Sequence, residues 1–63
     1  MDLNKALNGL LVIENTMSRR LCWGRNEFIV HDGELVIFIN EKGAIQPYEP
    51  SVIDLLVDDW ILI

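Results

Sequence analysis

The spacing of the apolar residues changes once along this 63-residue chain, and that change limits its fold more than any other feature. Leu3, Ala6, Leu7, Leu10 and Leu11 recur at i, i+3, i+4, i+7 and i+8, the spacing of a helix that turns one apolar face inward. From Met17 onward the spacing falls to two, which is the period of a strand. The chain is therefore expected to be α+β, a small antiparallel sheet of four to five strands with one N-terminal helix. A chain this short builds one core and buries only about 60% of its unfolded surface, so residues 1–63 are read as a single domain of marginal stability alone. Its opening, Met-Asp-Leu-Asn-Lys, is unlike a secretory signal and is read as the beginning of that domain.

Asp2 is expected to cap the helix by accepting backbone N–H bonds, with Asn15 and Thr16 stopping it near position 14. Gly9 inside it costs about 1 kcal/mol relative to Ala, unless it marks a close contact. In the first strand Met17, Arg19, Leu21 and Trp23 share one face, while Ser18, Arg20 and Cys22 share the other. Gly24-Arg25-Asn26 is a turn, Glu27 to His31 a second strand, and Asp32-Gly33 a tight hairpin connection. Glu34 to Asn40 forms a third strand and Lys42-Gly43 turns it back. Ala44 to Gln46 begins an edge-like fourth strand, with Pro47 and Pro50 bracketing a rigid connection. Ser51 caps one short helical turn with Asp54 reaching back to it, and Trp60 to Ile63 rejoins the sheet.

Strand three is apolar on both faces, with Leu35, Ile37 and Ile39 on one and Val36 and Phe38 on the other. One helix covers only one side of a small sheet. The second side, and the apolar ending Trp-Ile-Leu-Ile, are therefore expected to be buried against another copy of the chain, making a homo-oligomer.

Ten acidic residues against five basic ones give a formal charge of −5, which argues against polymeric nucleic acid and anionic membrane as partners. No apolar run approaches the 18 or so residues of a membrane helix. One Cys and one His exclude a disulfide framework and an ordinary zinc site, and no cofactor motif is present. Neither a phosphate-binding glycine loop nor a nucleophile elbow occurs, so the chain is not expected to be an enzyme. His31 beside a turn and Cys22 as a small half-buried residue receive no chemical role. Asp54, Asp58 and Asp59 lack the spacing of a calcium loop and are read as capping and solvated carboxylates.

The positive signal is a cluster: Arg19, Arg20 and Arg25, three of the five cations, surround Trp23. A guanidinium gives phosphate two directed bonds, and an indole gives a purine a stacking surface of about 1–3 kcal/mol. Trp23 also has the parity of Met17 and Leu21, which would make it core and leave Arg19 and Arg25 solvated or paired to acidic neighbours. Composition and spacing by themselves favour the core reading.

The stretch from Tyr48 to Trp60, with Pro50, Asp54, Leu55, Leu56 and Asp59 between, resembles the Y-x-P-x-x-x-D-L-L-x-x-D-W ending of the phage proteins known as the second type of Thoeris anti-defence protein. Ala6-Leu7 and the Arg20-x-x-Trp23 element are similar to features of that family in the same order, so the resemblance covers nearly the whole chain. It implies a sponge that binds a cyclic nucleotide immune signal, of the glycocyclic ADP-ribose type or a CBASS cyclic oligonucleotide, and sequesters it unchanged in the host bacterial cytoplasm. It further implies a homo-oligomer, a tetramer, with pockets between subunits. On that basis Arg20 and Arg25 are expected to contact phosphate, Trp23 or Tyr48 to stack on the purine, and Asp59 to accept from ribose hydroxyls. A structural assignment competes for the ending: Asp54 capping a turn, Asp59 fixing the chain before the last strand and Trp60 filling the core. Two other functions stand beside the sponge: a small acidic inhibitor docking directly on a host defence protein, and, ranked last, a hydrolase of the same nucleotides.

Overall fold

The computed structural model describes residues 1–63. Its elements, in chain order, are α1 (Leu3–Val12), β1 (Ser18–Arg20), β2 (Phe28–His31), β3 (Val36–Ile39), β4 (Ile45–Pro47), α2 (Val52–Leu56) and β5 (Trp60–Leu62). The five strands form one antiparallel sheet in the order β4-β3-β2-β1-β5, so the α+β expectation holds.

Asp2 caps α1 as expected, its carboxylate accepting the Lys5 N–H at 2.9 Å. Asn15, in the left-handed region at φ 59°, turns the chain out of the helix. Leu3, Ala6, Gly9 and Leu10 are buried, but Leu11 is 63% exposed. The buried stripe is narrower than the apolar spacing suggests, and Leu11 lies about 100° round the helix from Leu10. Gly9 does mark a close contact: a Cβ there would stand 2.7 Å from Leu62 Cδ1, so α1 rests its backbone on β5.

The first strand differs most from expectation. It ends at Arg20, and Leu21 and Cys22 form an exposed turn rather than continuing the ladder. Its buried position is Ser18, on the face opposite Met17 and Leu21. Burying that hydroxyl is tolerated because Oγ donates to the Ile61 carbonyl at 2.6 Å. The third strand is shorter than expected, and a side chain at each of its ends holds the adjoining turn through backbone N–H groups. Asp32 Oδ1 accepts from Glu34 and Leu35 at 2.9 and 2.8 Å, and Asn40 Oδ1 accepts from Lys42 and Ala44 at 2.9 and 3.0 Å. Pro47 belongs to β4 itself; Tyr48 N–H and Ala44 C=O bond toward β3, leaving Pro47 at an outward position where its missing N–H costs no ladder bond.

Cross-strand partners share a face, which places Leu62, Ser18, Ile29, Phe38 and Gln46 in one row across the sheet. This is the face α1 covers, over β5, β1 and β2, and it carries the buried strand residues Ser18, Ile29 and Trp60. On the opposite face one row runs through Ile61, Arg19, Phe28, Ile39 and Ile45 and the next through Val30, Ile37 and Pro47, and no helix packs on that face. Of the two apolar faces of strand three, the one with Val36 and Phe38 packs against the core and the one with Ile37 and Ile39 has no helix on it. No helix is long and apolar enough to cross a membrane.

Candidate ligand cleft

α1 leaves the β3–β4 end of its face uncovered, and Trp23 folds across there from the β1–β2 connection. Its turn is fixed by Trp23 N–H donating to Arg20 C=O at 3.0 Å and by Arg19 Nη1 donating to the carbonyls of Trp23 and Arg20 at 3.2 and 3.3 Å. The indole meets Phe38 at 5.3 Å, Trp60 at 5.1 Å and Tyr48 at 6.4 Å between ring centroids, all edge to face. Such contacts add about 0.5–1.5 kcal/mol each beyond the area they bury. Trp60 is the buried centre of this cluster, its Nε1–H donating to the Asp54 carbonyl at 3.1 Å.

Between the rings lies a cleft of about 410 Å³ lined by Trp23, Phe38, Gln46, Pro47, Tyr48 and Glu49. Small-molecule sites begin at roughly 300 Å³, so the cleft has room for part of a nucleotide. No Lys, Arg or His stands among its walls.

Behind one wall is a closed polar network centred on Asp54, which is buried. Ser51 and Asp54 make a reciprocal capping box at the start of α2, as the sequence led us to expect. The Tyr48 hydroxyl donates to Asp54 Oδ2 at 2.9 Å, and Arg20 Nη1 donates to Oδ1 at 3.4 Å. Arg20 Nε and Nη2 then grip Asp59 Oδ1 and Oδ2 at 3.0 and 3.2 Å. No buried side-chain polar atom lacks a partner. Burial, reinforced by Asp54, pushes the Tyr48 phenol far above its ordinary value, so it stays a neutral donor. The hydrogen bond from Arg20 holds the Asp59 carboxyl below its usual range, and the same bond raises Arg20 in return.

Of the residues singled out from sequence, Trp23 and Tyr48 meet on the cleft. Arg20 and Asp59 meet each other behind it, and Arg20 also donates to Asp54. Arg25 stands exposed in the β1–β2 connection and forms no ion pair. Phe38, Gln46, Pro47 and Glu49 escaped the sequence reading as site residues; only the alternation along strands three and four, which pairs Phe38 with Gln46, carried a trace of them. Asp54 is the expected cap and also the hub of the network. His31 Nδ1 accepts the Gly33 N–H at 3.3 Å within its hairpin, and no three His, Cys, Asp or Glu side chains gather as metal ligands.

A family model described as the Thoeris anti-defense 2-like (Tad2-like) domain matches residues 1–63, the whole chain. The chain belongs to the Tad2-like family. No curated protein and no solved structure matches it. Membership gives this Tad2-like domain a role in phage anti-defence against Thoeris. The Tyr48-to-Trp60 ending that suggested the family folds into the Tad2-like domain's polar network and its buried indole.

Proposed function

We propose that this Tad2-like domain is a sponge: it binds a cyclic nucleotide immune signal, of the glycocyclic ADP-ribose or CBASS type, and holds it unchanged in the host cytoplasm. The observation that supports the reading is the aromatic cleft, where Trp23, Phe38 and Tyr48 line a space with room for a purine. Trp23 and Tyr48 are the stacking residues, and Arg25, unpaired and exposed, is the cation available to a phosphate. Arg20 and Asp59 support the wall rather than the ligand.

Effective capture requires a nanomolar Kd, about −12 kcal/mol, whereas one stacked base supplies about 1–3 kcal/mol. The remainder has to come from enclosure, and the open apolar sheet face offers the means. A standard interface takes about 800 Å² per partner, roughly a fifth of this chain's 4455 Å² of accessible surface. We infer a homo-oligomer, a tetramer in the fullest form, built on the face carrying Ile37 and Ile39.

The test incubates the protein with glycocyclic ADP-ribose isomers and cyclic di- and trinucleotides, removes free ligand, denatures the protein and weighs what is released. One intact species supports the sponge. A ligand of altered mass means an enzyme. If nothing is released, the alternative of a direct inhibitor gains ground, since Val52, Ile53, Leu55 and Leu56 of α2 are all exposed and suited to a protein partner.

A further inference from the structure

The cleft walls are aromatic or apolar except at two positions, Gln46 and Glu49, and neither is cationic. The nearest guanidinium in the polar network, Arg20, has each of its three nitrogens on a carboxylate oxygen. Arg19 spends its Nη1 on backbone carbonyls. A phosphate entering this cleft would therefore meet the Glu49 carboxylate and no counter-charge, in a protein already carrying −5. A neutral heteroaromatic ring would meet π-faces on Trp23, Phe38 and Tyr48. It would also meet the Gln46 amide, which presents a donor and an acceptor side by side and suits the edge of a nucleobase.

We propose that the cleft is a charge-selective base pocket: it admits the neutral ring of a ligand, reads its polar edge through Gln46, and keeps phosphate outside through Glu49. Gln46 is placed for this by the ladder. It lies opposite Phe38 on the same face of the sheet, beyond the end that α1 covers, and both line the cleft. The proposal rests on the sponge reading for the class of ligand, and it assigns the phosphates of that ligand to groups outside the cleft.

Three probes separate the possibilities by Trp fluorescence and by chemical-shift changes at the single tyrosine: adenosine, adenosine 5′-monophosphate and purine riboside, which lacks the exocyclic amine. The wild-type protein is expected to bind adenosine at least as tightly as the monophosphate and more tightly than purine riboside. Gln46→Leu is expected to lose about tenfold for adenosine and to bind it and purine riboside alike. Glu49→Gln is expected to shift the ratio of affinities severalfold toward the monophosphate. Tighter binding of the monophosphate by the wild type overturns the charge exclusion, and retained discrimination in Gln46→Leu overturns the edge reading. If none of the probes perturbs Trp23 or Tyr48 at millimolar concentration, the base pocket itself is overturned. Release of an intact signal in the preceding experiment would then still uphold the sponge, with its site elsewhere.

Discussion

Arg20 and Asp59, 39 positions apart, meet as a two-point pair: Nε to Oδ1 at 3.0 Å and Nη2 to Oδ2 at 3.2 Å, with the side chains 14% and 28% exposed. The pair ties the end of β1 to the residue before β5, next to the backbone bond from Leu21 N–H to the Asp59 carbonyl at 3.1 Å. The third Arg20 nitrogen reaches Asp54, so one planar group joins three segments.

Geometry, more than charge, makes this pair useful. Lysine keeps the charge but is a point donor without the fork. Arg20→Lys is therefore expected to lower the denaturant midpoint with the slope unchanged, despite an identical formal charge. A midpoint equal to that of the wild type would mean that any cation suffices there.

Acid should reveal the same pair. The Asp59 carboxyl is held below its ordinary 3.8 by Arg20, and that of Asp32 by the backbone N–H groups of Leu35 and Glu34. Each binds its proton less readily folded than unfolded, so its contribution is present above about pH 4 and is lost as pH falls through the lowered folded value. Thermal midpoints should fall below about pH 4, and Asp59→Asn should flatten that fall. An equally steep acid limb in Asp59→Asn would place the linkage elsewhere.

The helix, the strand order in sequence and the capped turn at Ser51 were legible because each is set by neighbours within a few residues: Asp2 over Lys5, Ser51 with Asp54, and the glycine turns at Gly33 and Gly43. The inward face of β1 was not. Leu21 has the more apolar side chain, but Ser18 is buried because it finds a carbonyl on a strand that begins 42 positions later, at Trp60. The site divided in the same way. Trp23 and Tyr48 were visible as residue types, but whether Arg20 faces a ligand or Asp59 depends on β5 returning beside β1, which no local pattern encodes.

Alkali provides an independent reading of the network, since the chain has a single tyrosine. The Tyr48 phenol is raised above its ordinary 10.0, first by burial and then by Asp54. Its neutral form is favoured in the folded state, so this stabilisation is complete below about pH 10 and is lost as pH rises beyond it. Tyrosinate absorbance should appear together with unfolding and not before it, and Tyr48→Phe should abolish the absorbance and soften the alkaline loss of structure. Tyrosinate formed in a still-folded protein would contradict the Asp54 bond.

Gly9 and Leu62 should couple. Gly9→Ala gains about 1 kcal/mol of helix propensity but places its methyl group 2.7 Å from Leu62 Cδ1, an overpacking of about 1–3 kcal/mol. Alone it is expected to destabilise. In a Leu62→Ala background the obstruction is gone and the same change should stabilise. A double-mutant cycle by chemical denaturation measures the change of sign, and additive effects would show that α1 and β5 are not in close contact.

The two tryptophans should separate folding from binding. Trp60 is fully buried at the centre of the aromatic cluster and donates to the Asp54 carbonyl, so Trp60→Ala removes about 3–5 kcal/mol, most of what a domain of this size has. It is expected to be unfolded, with lost near-ultraviolet dichroism. Trp23 packs on that cluster from outside and is only half-buried, with one face turned to the cleft. Trp23→Phe keeps a ring against Trp60 and Phe38 while shortening the cleft wall; it is expected to stay folded and to capture at least tenfold less signal in the release assay. Full capture by Trp23→Phe would move the site away from this cleft, whereas unfolding of Trp23→Phe would make Trp23 as much core as Trp60.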